Sequence, residues 1–325
     1  MSRRMKRRFL VTGGAGFIGS HLAAALLAEG HAVRVLDDLS TGHRANLAPE
    51  AELIEGCITD AARVREALDG VDGCFHLAAI ASVERGVQAW VGTHRVNLTG
   101  TITILDALRR RSGAGRVPMV YASSAAVYGD CTDLPIRESA ERQPLSAYGA
   151  DKLGCELHAR VATASFGIPT VGLRFFNVFG PRQDPRSPYS GVISIFCDRL
   201  RQGLPVEIFG DGRQTRDFIY VADVVTALLR AMARQPEGAP VFNVCTGQAT
   251  SVLDLAGTIA ELCGTRPALR WRPARAGEIV HSLGAREQGA AALGLPAPTS
   301  LRDGLRTVLE WLAEATPPVP AVAPV

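Results

Sequence analysis

Tyr148 and Lys152 stand four residues apart in Tyr-Gly-Ala-Asp-Lys, a spacing that sets both side chains on one face of a helix. An ammonium beside a phenol stabilises the phenolate and makes tyrosine a usable proton acceptor near neutral pH. This is redox chemistry on an alcohol. Upstream, Tyr121-Ala122-Ser123-Ser124-Ala125-Ala126 reads as a buried strand ending in two hydroxyls. Ser124 lies 24 residues before Tyr148 (148 − 124), where it can share a hydrogen bond with the same substrate oxygen.

Such a reaction needs a hydride partner, and the start of the chain offers a place for one. Residues 9–12 read as a short buried strand, followed by Gly13-Gly14-Ala15-Gly16-Phe17-Ile18-Gly19 and an apolar helix over 21–27. Gly14, Gly16 and Gly19 fit GxGxxG, and Gly13, Gly16 and Gly19 fit the related GxxGxxG. Glycines here allow a tight turn, let backbone N–H groups approach a pyrophosphate, and let helix pack on strand. A second strand, 32–36, ends at Asp37. Its carboxylate would accept hydrogen bonds from an adenosine ribose and repel a 2′-phosphate, so NAD is favoured over NADP.

The elements that must position these groups follow a regular rhythm. Strand-like runs at 53–54, 73–77, 119–122 and 170–173 alternate with helical stretches near 60–69, 93–110 and 148–166. That alternation predicts an α/β fold, a Rossmann-like doubly wound parallel sheet, with ligands at the carboxyl ends of its strands. After Arg174 the pattern loosens, with Gly-Pro-Arg-Gln-Asp-Pro at 180–185, and a strand at 241–244 is expected to return to the sheet. The expected division is a dinucleotide-binding domain over 1–175 and 218–246 and a smaller α/β substrate lobe over 176–217 and 247–315. The proline-rich residues 316–325 read as a disordered tail.

Composition narrows the class. A chain of 325 residues with 47% hydrophobic content can bury one large core or two joined ones. The net charge is +3, and five basic residues, Arg3, Arg4, Lys6, Arg7 and Arg8, leave −2 for the remainder (3 − 5). Nothing marks a nucleic-acid surface. No apolar run reaches about 18 residues, so no membrane helix is expected, and the apolar start breaks at Thr12-Gly13-Gly14, unlike a secretory signal. Seven scattered cysteines without a Cys-x-x-Cys pair suit a cytoplasmic protein with neither a disulfide framework nor a metal site.

Taken together, Gly-Gly-Ala-Gly-Phe-Ile-Gly-Ser, Asp37-Asp38-Leu-Ser-Thr41-Gly42, His76-Leu77-Ala78-Ala79, Asn97, Ser124 and Tyr148/Lys152 closely resemble the extended short-chain dehydrogenase/reductases. More narrowly they look like nucleotide-sugar 4-epimerases of the UDP-glucose and UDP-N-acetylglucosamine type. The likeness runs from about residue 8 to 312. It implies Ser124, Tyr148 and Lys152 as the catalytic group. It implies an NAD site of Gly13, Gly16, Phe17, Ile18, Gly19, Asp37, Asp38, Thr41, Gly42, Ile58, Leu77, Ala78, Ala79, Asn97, Tyr148, Lys152 and Phe175. Asn177, in Arg174-Phe-Phe-Asn-Val-Phe-Gly-Pro-Arg-Gln-Asp-Pro, falls where the family contacts the sugar diphosphate. Val192 and Phe209 fall where it holds uracil, Arg216 and Arg275 where it binds diphosphate, and Glu278 where an acid binds the uridine ribose. Ser82, Ser123 and Ser124 would face the sugar.

The resemblance implies a transient oxidation: Tyr148 takes the proton of the sugar 4-hydroxyl while C4 gives hydride to NAD, and the hydride returns to the other face of the 4-keto sugar. Departures from the family pattern narrow the reaction. The 4,6-dehydratases carry an Asp-Glu pair after the active-site hydroxyl, and UDP-glucuronate decarboxylases an acid at the second of those positions; Ala125 and Ala126 stand there. UDP-glucuronate 4-epimerases have threonine at Asn177 and arginine at Asp184. The family's adenine-contacting Asp-Ile appears as Cys57-Ile58, implying weaker cofactor binding. Ser282 replaces a tyrosine common in glucose-restricted members, leaving room for an N-acetyl group. The expected partners are a UDP-hexose and, by analogy with helices that pair across subunits in the family, a second copy of the chain. The alternatives are a 4-keto sugar-nucleotide reductase, disfavoured by Asp37, and a UDP-glucuronate 4-epimerase.

Overall fold

Arg-Phe-Leu-Val-Thr lacks the alternation of a half-exposed strand and suits one covered on both faces. In the computed structural model, which describes residues 6–111, 116–185, 191–274 and 279–315, it forms β1 (Arg8–Thr12), exposed only at its first residue. The chain continues through β2 (Ala32–Asp37), β3 (Glu52–Glu55), β4 (Gly73–His76), β5 (Met119–Ser124) and β6 (Thr170–Phe175). It then leaves the sheet for β7 (Asn177–Phe179), β8 (Val206–Phe209) and β9 (Thr215–Tyr220), and returns as β10 (Val241–Val244). The seven-stranded sheet has the order β10-β6-β5-β4-β1-β2-β3, and every neighbouring pair is parallel. Chain direction across the sheet reverses between β1 and β4, the switch point where such sheets open a crevice.

Eleven helices are described. The first six are α1 (Phe17–Ala28), α2 (Ala61–Leu68), α3 (Val83–Gln88), α4 (Trp90–His94), α5 (Gly100–Arg110) and α6 (Ala147–Phe166). They are followed by α7 (Val192–Arg201), α8 (Val221–Arg234), α9 (Val252–Leu262), α10 (Glu287–Leu293) and α11 (Leu301–Ala315). Because side chains alternate along a strand, β1 feeds two cores. Phe9 and Val11 pack with Leu22 and Leu26 of α1 and Val224 and Leu228 of α8. Leu10 packs on the other face with Val64 of α2, Ile104 of α5 and Ala159 of α6. Each such buried aliphatic side chain contributes about 1.5–3 kcal/mol, so both helical layers are held firmly to the sheet.

A third core, including Phe196 of α7, Ile208 of β8, Leu255 of α9 and Leu305 of α11, lies under two small sheets. One has the order β11-β9-β7, with β11 at Ala249–Ser251; the other pairs β8 with β12 at Leu269–Arg272.

The expected strands and helices of the large sheet are present, with adjusted ends. β5 runs on to Ser124 and β6 to Phe175 because these two residues pair with each other. The helix expected from 93 begins with α4 at Trp90 and joins α5 through a wide π-helical turn, Arg95–Thr99. The smaller lobe's strands, three to six residues long, went unseen in the sequence because so short a run carries almost no periodicity. Among the described residues no helix is long and apolar enough to cross a membrane.

Candidate active site

The glycine turn connects β1 to α1, and its glycines are required for separate reasons. Gly13 has φ +70°, and a Cβ there would lie 2.7 Å from the backbone nitrogen of Ala78. That close approach joins the ends of β1 and β4 across the switch point. At Gly14 a Cβ would strike Val35 at 2.7 Å, and at Gly19 it would run into the Gly13 carbonyl. Gly16 meets only the Gly13 carbonyl, at 3.2 Å. It is also the N-cap of α1, a helix with no side-chain cap and no acidic residue in its first turn. Free N–H groups at a helix start, at the positive end of the helix dipole, form an anion site. Phe17 and Ile18 open that helix, so the turn fits a pyrophosphate.

Asp37 closes β2 and is 7% exposed. Its carboxylate accepts from the backbone nitrogens of Ala15 and Leu39, each at 2.9 Å. Burial pushes its pKa up and these two N–H groups pull it back, so the glycine turn itself supports the charge a ribose would meet. Gly42 approaches Ala15 closely, and a Cβ there would also lie 3.0 Å from the Asp37 carboxylate. Asp38 folds its own loop, accepting from the Ser40 nitrogen and hydroxyl at 3.0 and 2.6 Å, beside exposed Thr41. Past β3, Cys57 is partly exposed and accepts from the Thr59 hydroxyl at 3.1 Å. The Ile58 side chain turns into the core against Gly100.

At the other side of the switch point, α6 is docked onto the end of β5. Ser146 caps the helix by accepting from the Gly149 nitrogen at 3.0 Å. A Cβ on Gly149 would lie 2.5 Å from the Ala126 carbonyl, so the turn bearing Tyr148 sits directly against the turn that follows Ser124. Lys152, 3% exposed, donates to the Ala122 carbonyl at 2.9 Å, and its Nζ stands 5.8 Å from the centre of the Tyr148 ring. The Ser124 oxygen accepts from the Ala126 nitrogen at 3.1 Å. Its own proton is therefore available to a substrate oxygen. The structure thus brings Ser124, Tyr148 and Lys152 together at one strand end.

Beneath them runs a chain of hydrogen bonds between residues far apart in sequence, with no linear signal. Thr12 Oγ1 lies 2.8 Å from His76 Nδ1, and His76 Nε2 lies 2.9 Å from Thr101 Oγ1. Thr101 donates to the Asn97 carbonyl at 2.7 Å, so it accepts from His76 Nε2–H and leaves Nδ1 to accept from Thr12. His76 is the neutral Nε2–H tautomer: burial, and then the charge of Lys152, lowers its pKa to about 3. The Asn97 side chain bonds both backbone groups of Ile80, at 2.7 and 3.2 Å, fixing the segment of Leu77, Ala78 and Ala79.

A second buried network holds α6. Arg174 forms a bidentate pair with Glu156 at 2.8 and 2.7 Å, and Ser123 donates to the same carboxylate at 2.5 Å. Ser123 is 1% exposed, so its side chain belongs to this network and not to the crevice, the consequence of alternation with Ser124. Glu156 lies one helical turn after Lys152, a spacing visible in the sequence; its partner, sited on another strand, was not.

The remaining expected sugar-nucleotide residues are spread over the smaller lobe and its border. Ser82, buried, caps α3 by accepting from the Arg85 nitrogen at 3.0 Å. Phe175 is buried at the end of β6, and Asn177 is exposed at the start of β7. Val192 begins α7 and Phe209 ends β8. Arg216 and Ser282 are brought together: the Ser282 nitrogen donates to the Thr215 carbonyl at 3.1 Å, and Arg216 donates to the same carbonyl at 2.9 Å. Asp217 anchors this corner, accepting from the nitrogens of Thr246, Gly247 and Gly284 at 2.8, 2.9 and 3.3 Å. Arg275 and Glu278 lie outside the described residues.

Residues 9–245 match the NAD dependent epimerase/dehydratase family. A putative UDP-glucose 4-epimerase of Methanocaldococcus jannaschii is 37% identical over 93% of this chain and 97% of its own. A UDP-N-acetylglucosamine 4-epimerase of Methanobrevibacter ruminantium, solved with UDP-N-acetylmuramic acid, superposes with a TM-score of 0.90 at 32% identity, over 96% of this chain and all of that one (100%). The Thermus thermophilus UDP-glucose 4-epimerase solved with NAD gives 0.86 at 34% identity, over 95% of this chain and 100% of that one. With the glycine turn, the acid closing β2 and the Ser/Tyr/Lys group all at the strand ends of one doubly wound sheet, the chain belongs to the NAD-dependent epimerase/dehydratase family of extended short-chain dehydrogenase/reductases.

Proposed function

We propose that the protein is an NAD-dependent UDP-hexose 4-epimerase, acting on UDP-glucose and UDP-galactose and also on UDP-N-acetylglucosamine and UDP-N-acetylgalactosamine. The observation that carries this reading is the junction of α6 and β5, where Lys152, Tyr148 and Ser124 meet and are followed by two alanines, Ala125 and Ala126. In this reading Tyr148 receives the proton of the sugar 4-hydroxyl and returns it, the Lys152 charge favouring the phenolate. Ser124 donates its free proton to the same oxygen. His76, neutral beneath the site, adds no charge to compete with Lys152. Neither alanine can take a proton, so the residues beside the reacting carbon provide no route to elimination. Bound NAD supplies reversible two-electron exchange with C4.

The substrate assignment rests on Asn177, Val192, Phe209, Arg216, Arg275 and Glu278 as the UDP contacts, with guanidinium groups suited to phosphate oxygens. Ser282, next to Arg216, supports admission of the acetylated sugars because it fills little space. The division into a dinucleotide domain over 1–175 and 218–246 and a sugar lobe over 176–217 and 247–315 belongs to the same proposal. So does a homodimer, supported by exposed Leu157, Val161 and Phe166 on α6. Product analysis on a panel of UDP sugars, with no reductant added, tests the function. Conversion between C4 epimers is expected for the plain and acetylated hexoses; activity confined to UDP-glucuronate, or an absolute need for NADPH, would overturn it.

A further inference from the structure

The segment leaving β7, Gly180-Pro181-Arg182, crosses from the smaller lobe back to the glycine turn and is fastened there at two points. His21, in the second turn of α1, donates from Nε2 to the Pro181 carbonyl at 2.9 Å, and the His21 ring stacks edge-on against Phe17, 6.0 Å away. Arg182 reaches the other side, donating to the Asn46 carbonyl over a long 3.4 Å. Asn46 is itself tied to the turn, its side chain donating to the Ala15 carbonyl at 2.9 Å. Ala15 is the residue whose nitrogen binds Asp37. Arg182 does all this with φ +67°, a conformation that costs a side-chain-bearing residue energy and persists only where surrounding contacts hold it. The strained residue and its two anchors thus tie the segment to α1 and to the glycine turn before it, with Gly180 close to the Phe17 ring.

We propose that Arg182 and His21 form a latch that retains the dinucleotide, the Gly180–Arg182 segment being fastened to both flanks of the glycine turn so that NAD leaves only when the segment lifts. The start of α1 and the acid at Asp37 mark the expected cofactor site; the segment is tied to α1 at His21 and to the glycine turn through Asn46 and Ala15, and a guanidinium is a group suited to pair with a pyrophosphate. Retention matters to an enzyme whose cofactor is restored in each turnover and never needs to be exchanged. Arg182 and His21 are positioning residues, acting on release of NAD and not on the sugar. The inference depends on NAD binding alone, so it stands or falls separately from the choice of sugar.

The test is exchange of bound NAD against isotopically labelled NAD in the full-length protein, for wild type, Arg182→Gly and His21→Ala. Glycine adopts positive φ without cost, so Arg182→Gly removes the cation and the strain together while keeping the backbone path. Both variants are expected to exchange NAD about tenfold faster or more, the scale of one or two lost hydrogen bonds, with KM for the UDP sugar unchanged at saturating NAD. Arg182→Lys is expected to recover part of the retention. Arg201→Ala, which removes a partly exposed ion pair on α7, should leave exchange at the wild-type rate. Wild-type exchange in His21→Ala or in folded Arg182→Gly would overturn the latch; if Arg182→Gly fails to fold, His21→Ala decides alone.

Discussion

Tyr148 and Lys152 were legible because a helix turns an i,i+4 spacing into proximity, and Ser124 because a hydroxyl at a strand's carboxyl end lies where the crevice opens. Ser123 shows the limit of that reasoning. One residue away on the same strand, it points to the opposite face and donates to Glu156, a partner that only the tertiary fold reveals. Tyr148→Phe keeps the ring and removes the proton acceptor, so kcat for epimerisation should fall by about 10²–10⁴-fold, while UDP affinity measured by calorimetry stays within error of wild type. Near-normal turnover would exclude Tyr148 as the base. Ser282→Tyr would fill the space beside Thr215 and Arg216. Overpacking costs about 1–3 kcal/mol, so kcat/KM for UDP-N-acetylglucosamine should drop roughly 5- to 150-fold relative to UDP-glucose. Equal losses on both sugars would show that Ser282 does not set sugar size.

At the scale of elements, β1, β4, α5 and α6 meet through His76, Thr12, Thr101 and Lys152. The sequence marked His76 only as part of a motif, since nothing in a linear chain shows that Thr12 and Thr101 flank its ring. The alternation of strands and helices up to β6 was visible, whereas the strands of the smaller lobe were too short to leave a period. The buried imidazole has a measurable consequence. Its folded pKa, about 3, lies below the 6.5 of an unfolded chain, so between these values only the unfolded state takes up the proton. Stability from this group is complete above about pH 6.5 and is lost as pH falls toward 3. By pH 4.5 the loss should be on the order of 2–3 kcal/mol. His76→Gln keeps a donor and an acceptor without a titrating ring. Denaturant unfolding at pH 7 and pH 4.5 should therefore show a smaller loss on acidification in the variant than in wild type; parallel losses would mean that the imidazole is protonated in the folded protein.

For the whole molecule, the doubly wound sheet gathers the proposed catalytic group and the glycine turn at one set of strand ends, and β7 and β9 pair in a separate small sheet. Apolar side chains left exposed on α6, at Leu157, Val161 and Phe166, would supply the face for the proposed second copy. Light scattering should give about twice the 34.5 kDa of one chain, and Leu157→Glu with Val161→Glu should give the monomer. A wild-type monomer at working concentration would remove the homodimer from the proposal. In the proposed cycle hydride leaves C4 and returns to C4 within one turnover. UDP-galactose deuterated at C4, incubated with the purified protein without added reductant, tests it most directly by mass spectrometry and NMR of the product. UDP-glucose that keeps its deuterium at C4 is expected, with no net NADH beyond the enzyme present. UDP-glucose carrying solvent hydrogen at C4, or a 4-keto sugar accumulating with equimolar NADH, would contradict it.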